Sequence, residues 1–176
     1  MSELALKTKA VHDAPADEIE VLTFEIGGET FALEAAIVRE ILDLLPETIV
    51  PGSRPFVNAV INFRGKVIPL ADIRVAMGMP TAATTIDSRI VVVELDLDGT
   101  PSLIGLRADS VNEVTAFSKA SGEPPPRVGL KWPPQFIECL IQREGAFVIF
   151  PDLKAIFASK GRASQPDQKQ IPNPSK

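Results

Sequence analysis

The chain is poor in the residues that enzyme nucleophiles and metal sites most often use. Its 176 residues include one cysteine, one histidine, one tryptophan and no tyrosine. Cys139 cannot form an intramolecular disulfide, and its place in an apolar segment favours an inert, packed thiol. His12 lies in a segment without hydrophobic periodicity, so neither a Ser/His nor a Cys/His nucleophilic pair is available. We therefore expect no catalytic residue, no metal and no cofactor.

Long apolar runs and basic stripes are also missing. Apolar runs such as residues 90–93 fall far short of the ~20 residues that a membrane helix needs, and the opening residues hold no apolar stretch long enough for a signal peptide. The formal net charge is −5, and no cluster of Lys and Arg could contact a phosphate backbone. We expect a cytoplasmic protein that neither inserts into a membrane nor binds nucleic acid.

The two ends of the chain differ in composition from the middle. Residues 1–18 mix Lys, Ala, Asp and Pro without periodicity, and residues 159–176 are rich in Gly, Ser, Pro and Gln. Neither end carries enough apolar side chains to offset the entropy lost on ordering. We predict disordered tails at residues 1–18 and 159–176, with one folded domain at residues 19–158 between them.

Within that domain, short apolar runs alternate with turn signals, a pattern typical of strands. The dipeptides Gly27-Gly28, Arg64-Gly65 and Asp98-Gly99 predict tight hairpins. Only residues 72–77 and 152–159 favour helix. Each of these opens with an aspartate that can cap the first turn. The pattern predicts an all-β fold with short helices.

The chain contains an internal repeat. Residues 56–77 align without gaps on residues 136–157 at an offset of 80, and residues 31–41 align on residues 104–114 at an offset of 73. A closed barrel removes the sheet edges that short strands would otherwise expose. We therefore predict two related five-stranded β-barrels, at about residues 19–79 and 88–158. The identical pairs include Phe56/Phe136, Ile61/Ile141, Gly65/Gly145, Asp72/Asp152, Leu33/Leu106, Val38/Val111 and Glu40/Glu113.

One segment resembles the signature of the CheW family of chemotaxis coupling proteins. Residues 60–74, VINFRGKVIPLADIR, are similar to the family pattern V-x-N-L-R-G-x-[IV]-x-P-[VL]-x-D-[LI]-R. Shorter matches lie in the same order along residues 20–158. They are LTF at residues 22–24, GGE at 27–29, FAL at 31–33, VREI at 38–41 and DSVNEV at 109–114. The chain departs from the family in Ala59 and Cys139, where glycine is usual, in Phe63, where leucine is usual, and in the bulky proline-rich segment 123–134.

The resemblance implies a fold of two SH3-like barrels and a non-catalytic function. It implies an adapter that joins the regulatory domain of a chemotaxis histidine kinase to the cytoplasmic tip of a chemoreceptor. Such a protein would be recruited to receptor arrays at the inner membrane. The residues alone leave an alternative open, a small β-barrel enzyme or ligand-binding domain that uses surface carboxylates.

The repeat also helps to rank site residues, because a feature present in both halves is expected to serve the fold. Arg64 does not recur, since Glu144 occupies its place, and Asn62 also lacks an identical counterpart. The resemblance places Arg64 at the receptor-facing surface, where its planar guanidinium could pair with a carboxylate. An exposed hairpin charge, or a partner of Glu40 inside the barrel, is the alternative interpretation.

Two further positions are ambiguous. Glu40 recurs as Glu113, which weakens a site assignment for it alone, although a Glu40–Arg64 pair could hold the arginine ready for docking. Val38 lies at an alternate position of a strand, where core packing is usual, and the family resemblance favours a receptor groove there. We predict that Arg64, Asn62, Glu40 and Val38 bind a partner.

Overall fold

The computed structural model describes residues 17–158, and the predicted tails lie almost wholly outside that range. Most of the described chain is strand. The strands are β1 (Glu18–Ile26), β2 (Glu29–Glu34), β3 (Val38–Asp43), β4 (Thr48–Ile49), β5 (Ala59–Phe63), β6 (Lys66–Ala71), β7 (Arg89–Leu97), β8 (Thr100–Ala108), β9 (Ser110–Ser118), β10 (Ile137–Arg143) and β11 (Ala146–Pro151). The α-helices are α1 (Ile73–Ala76) and α2 (Leu153–Ala158), with short 3₁₀ turns at Ala35–Ile37, Lys119–Ser121 and Pro134–Phe136.

Tight two-residue turns connect four antiparallel strand pairs. Each turn places both central residues at positive φ, as a type I′ hairpin requires. In three of them a residue with a side chain precedes the glycine, namely Arg64 (φ 50°), Asp98 (φ 54°) and Glu144 (φ 52°). The predicted hairpins at Gly27-Gly28, Arg64-Gly65 and Asp98-Gly99 are confirmed, and Gly145, the repeat counterpart of Gly65, lies in the same kind of turn.

The two α-helices begin at the predicted aspartates. The Oδ1 atom of Asp72 accepts a hydrogen bond from the Arg74 amide at 3.1 Å, and that of Asp152 accepts one from the Ala155 amide at 2.9 Å. The amides of the same two aspartates donate to the carbonyls of Phe56 and Phe136, at 2.7 and 2.8 Å. The capping function is therefore confirmed in both halves of the repeat.

The strands form two sheets that exchange hairpins between the halves of the chain. One sheet has the order β10-β11-β2-β1-β9, and the other has the order β3-β7-β8-β6-β5-β4. Hairpin β1–β2 thus joins strands of the second half, and hairpin β7–β8 joins strands of the first. Both junctions are parallel, β2 on β11 and β8 on β6. The all-β class with two small sheets is confirmed, with the two-residue β4 as an additional edge strand.

The exchange corrects the predicted boundaries within the domain. The ranges 19–79 and 88–158 do not separate the two sheets, because each sheet draws on both ranges. A repeat shows which segments are equivalent, and it does not show which copy of a hairpin pairs with which copy of the remaining strands. The exchanged arrangement makes the same kinds of strand pairs as the unexchanged one, so the sequence pattern is the same for both.

The core lies mainly between the sheets. Strands β1 and β7 are buried on both faces, so their alternate side chains enter different apolar clusters. On β7, Val91 and Val93 enter the central cluster shared by both sheets, whereas Ile90 and Val92 enter a cluster within their own sheet. On β1, Val21 belongs to the corresponding cluster of the other sheet. The two barrels therefore share the central cluster, and each also has a smaller apolar cluster of its own.

One charged side chain is buried in this core region. Arg74, in α1, is 3% exposed, and its Nη2 atom pairs with Oδ1 of Asp109 at the β8–β9 corner. Its Nε atom lies 3.6 Å from Oδ1 of Asp72. The second oxygen of Asp109 accepts a hydrogen bond from the Gly27 amide at 2.8 Å. The pair therefore links a helix of one half to a corner of the other and to the first hairpin.

We predict that Asp109→Ala destabilises the protein by on the order of 3 kcal/mol, because it leaves a buried guanidinium without its main counter-charge. Urea denaturation would measure the loss. In a double-mutant cycle with Arg74→Met, the double variant should lose less than the sum of the single losses. Glu113→Ala, which removes an exposed ion-pair partner, is the control and should change stability by less than about 1 kcal/mol. Equal small losses for Asp109→Ala and Glu113→Ala would contradict the assignment.

A candidate partner-binding site at the β5–β6 hairpin

The β5–β6 turn presents Arg64 to solvent. Arg64 is the first turn residue, and its side chain is 74% exposed. The amide of Gly65 donates to Oδ1 of Asn62 at 3.0 Å, so Asn62 closes the turn from the strand before it. The structure therefore gives Asn62 a role within the hairpin, and through that role a role in placing Arg64.

Arg64 is held by a carboxylate from the opposite edge of its sheet. Its Nη2 atom lies 2.7 Å from Oε2 of Glu40 on β3, and its guanidinium carbon lies 5.4 Å from the centre of the Phe63 ring. Strand β3 is the first strand of the sheet order, and β5 is the fifth. A contact between them requires the sheet to curl, as a barrel does.

The pair is at the surface. Glu40 is 32% exposed, so the predicted contact between the two residues is present, and it does not lie inside the barrel. An exposed ion pair contributes about 0–1 kcal/mol to stability. Its main effect here is to restrict the rotamers of Arg64, which leaves the guanidinium oriented outward from the turn.

Val38 is a half-buried residue at the start of β3. It is partly buried and packs against the central apolar cluster. The pairing of β3 with β7 shifts register between Val38 and Glu40. Ile41, further along the strand, is 42% exposed. The structure brings Glu40, Asn62 and Arg64 together around one turn, and it gives Val38 a mainly packing role beside them.

A related pair, which was not predicted from the sequence, lies in the second half of the chain. The Nη2 atom of Arg143 lies 3.3 Å from Oε1 of Glu113, and its guanidinium carbon lies 5.5 Å from the centre of the Phe117 ring. Glu113 is the repeat counterpart of Glu40, but Arg143 stands one position before the turn residue Glu144. Arg143 is 39% exposed, so Arg64 is the more accessible of the two arginines.

Other candidate positions have structural explanations. Trp132, in the proline-rich segment, packs against the central cluster. Partial burial, together with the neighbouring Glu138 carboxylate, raises the pKa of the Cys139 thiol. Among residues 17–158, no group of three or more His, Cys, Asp or Glu side chains could hold a metal ion. No helix in that range is long and apolar enough to span a membrane.

The profile of the CheW-like domain matches residues 20–161. The chain belongs to the CheW-like domain family. It is similar to the chemotaxis protein CheW of Rhizobium meliloti, with 28% identity over 81% of this chain and 90% of the relative. It is also similar to CheW of Bacillus subtilis, with 26% identity over 85% of this chain and 94% of the relative.

A solved structure has the same fold. The crystal structure of the scaffolding protein TtCheW from Thermoanaerobacter tengcongensis superimposes with a TM-score of 0.74 and 29% identity. The match covers 85% of this chain and 94% of TtCheW. The predicted family and the predicted pair of SH3-like subdomains are therefore confirmed. The roles of Arg64, Asn62, Glu40 and Val38 in binding remain predictions.

We predict that Cys139 is alkylated more slowly by iodoacetamide at pH 8 than the same thiol in the urea-unfolded chain. A raised pKa lowers the fraction of thiolate, and the thiolate is the reacting form. Glu138→Gln should speed the reaction in the folded protein, because it removes a charge that raises the pKa. Equal rates in folded and unfolded protein would contradict this account of Cys139.

Proposed function

We propose that this protein is a non-catalytic cytoplasmic adapter of a chemotaxis pathway. It binds the cytoplasmic tip of a chemoreceptor and the regulatory domain of a histidine kinase, and it thereby brings kinase and receptor together in arrays at the inner membrane. Membership of the CheW-like family supports the proposal, as do relatives described as chemotaxis and scaffolding proteins. The observation that carries it is an exposed arginine that Glu40 holds on a tight two-residue turn.

The contacts of Arg64 suit recognition of a carboxylate. An arginine has five N–H donors in a planar fork. Its contact with Glu40 is made through Nη2, so the remaining donors can reach an acidic side chain of a receptor. Because the turn and the Glu40 contact restrict the side chain in advance, less conformational entropy is lost on binding.

The other predicted residues support this contact in different ways. Glu40 orients the guanidinium, and Asn62 holds the turn in its left-handed conformation through the Gly65 amide. Val38 packs at the base of β3, beside the strand that carries Glu40. In this proposal Arg64 makes the direct contact, and the three others position it or adjoin it.

The kinase contact follows from the family resemblance. The resemblance implies that the regulatory domain of the kinase has a similar fold, so adapter and kinase can alternate in rings. The receptor contact through Arg64 and the kinase contact are separate parts of the proposal, and binding measurements can test each by itself.

We predict that Arg64→Asn weakens binding to a chemoreceptor cytoplasmic fragment at least tenfold, because it removes a charge-assisted contact at an interface. Asparagine tolerates positive φ at the first position of a type I′ turn, so the melting temperature should change little. Arg64→Lys should restore part of the affinity, because an ammonium group cannot reproduce the fork. Isothermal titration calorimetry with receptor and kinase fragments would measure both affinities.

The repeat offers a matched control. Glu144→Asn makes the same kind of change at the equivalent turn of the other barrel, where φ is 52°. It should leave receptor affinity unchanged. Equal losses for Arg64→Asn and Glu144→Asn, or no loss for either, would show that Arg64 is a solvated hairpin charge. A wild-type protein that binds neither fragment would overturn the adapter proposal itself.

A further inference from the structure

The two halves of the chain each carry a surface cavity, and the cavities occupy equivalent places. One has a volume of about 210 Å³ and lies beside α1, and the other has a volume of about 430 Å³ and lies beside α2. Four positions that line the first correspond, at the offsets of the repeat, to four that line the second. The pairs are Asn58/Glu138, Asp72/Asp152, Arg74/Lys154 and Arg107/Glu34.

Basic residues outnumber acidic ones in the lining of one cavity, and acidic residues outnumber basic ones in the lining of the other. The cavity beside α1, called here the basic cavity, is lined by three arginines and two aspartates, namely Arg74, Arg89, Arg107, Asp72 and Asp109. At the position of Arg107, the cavity beside α2 has Glu34, and at the position of the neutral Asn58 it has Glu138. We call this second one the acidic cavity. The two equivalent pockets therefore differ in the balance of the charged residues that line them.

The chain itself supplies counter-charges to the basic cavity. Arg107 pairs with Glu47, which lies on the segment between β3 and β4, and Nε of Arg89 lies 3.4 Å from Oδ1 of Asp43. The buried Arg74 pairs with Asp109, as described above. Each arginine of this cavity thus has an acidic partner from the same chain.

The acidic cavity differs in this respect. None of the ion pairs formed within residues 17–158 involves Glu34, Glu138 or Asp152. The pKa of the Glu138 carboxyl is raised, first by partial burial and then by the Asp152 and Glu34 carboxylates. Lys154 is the cationic residue at its edge and is exposed. Three carboxylates therefore share one pocket, and two of them disfavour the ionised form of Glu138.

The walls of the acidic cavity are largely apolar. Leucine, isoleucine, phenylalanine and proline side chains make up most of the remaining lining, at positions Leu33, Ile37, Leu95, Phe150, Pro151 and Leu153. An apolar wall next to Glu34 and Glu138, which form no ion pair within residues 17–158, suits a side chain that has an aliphatic stem and a cationic end. Arginine and lysine have that form.

We propose that the acidic cavity is a docking site for an arginine or lysine that a partner protein carries between apolar residues. In the basic cavity, Arg107 stands at the position equivalent to Glu34 and forms an ion pair with Glu47 of the same chain. In the acidic cavity, the complementary cation comes from the partner. The site lies beside α2 and strands β2, β10 and β11, and the Arg64 turn belongs to the other sheet.

The proposal can be tested on the full-length protein with a short synthetic peptide, acetyl-Leu-Arg-Leu-amide. In NMR titrations of ¹⁵N-labelled protein, the peptide should shift amide signals around Glu34, Glu138 and Leu153. It should also lower the pKa of the Glu138 carboxyl, because a nearby cation favours the ionised form. The peptide with citrulline in place of arginine keeps the shape and removes the charge, and it should bind at least tenfold more weakly.

Substitutions in the cavities provide matched controls. Glu138→Gln, alone and combined with Glu34→Gln, should weaken binding of the arginine peptide, with at least a tenfold loss for the double variant. Both changes remove mutual repulsion, so the protein should remain folded. Glu47→Gln, at the basic cavity, should leave the affinity unchanged. Equal binding of the arginine and citrulline peptides, or shifts that the cavity substitutions do not alter, would overturn the proposal.

The same peptide titration also tests a different occupant of the acidic cavity, the C-terminal segment of the chain itself. Residues 160–176 carry four basic side chains and one acidic one. If the peptide binds only after Lys160, Arg162, Lys169 and Lys176 are changed to glutamine, the occupant is the chain's own C-terminal segment, and the assignment to a partner is wrong. If the wild-type protein binds the peptide with the same affinity as that variant, the assignment to a partner stands.

Discussion

Burial of β1 and β7 on both faces is the constraint on which the rest of the fold depends. A strand that is apolar on both faces needs a packed layer on each side, and the exchange of hairpins supplies these layers. Each of the two strands contributes alternate side chains to its own barrel and to the cluster that both barrels share. Neither barrel can be separated without exposing the central cluster to water. The two halves of the repeat therefore form one structural unit.

The Arg74–Asp109 pair adds specificity to that apolar junction. Hydrophobic burial is non-directional and does not by itself set how two sheets meet. The guanidinium of Arg74 contacts Asp109 from the other half, and Asp109 in turn accepts a hydrogen bond from Gly27. These contacts have defined geometry, so they fix α1, the β8–β9 corner and the first hairpin relative to one another.

Local features of the fold could be predicted from the sequence, because each depends on a few neighbouring residues. The dipeptides at the turns and the aspartates before the helices are examples. The exchange of hairpins could not be predicted, since it concerns which of two equivalent copies a strand meets. The contact of Glu40 with Arg64 was predicted as one interpretation, with the pair inside the barrel, whereas the structure has it at the surface. The buried pair was missed, although Arg74 aligns with Lys154 and Asp109 with Ala36. The same test of asymmetry that favoured Arg64 would have marked both residues.

The repeat explains why differences between the halves are informative. Turns, caps and parallel junctions recur at equivalent places, so they serve a frame that both barrels need. Arg64 and Glu144 share a backbone conformation and differ in charge. The linings of the two cavities also differ in charge at equivalent positions, because Arg107 in one corresponds to Glu34 in the other. A surface side chain can change without loss of the frame, because exposed ion pairs contribute little to stability. Charge differences at equivalent places are therefore the features that fold stability explains least, and both proposed partner contacts use them.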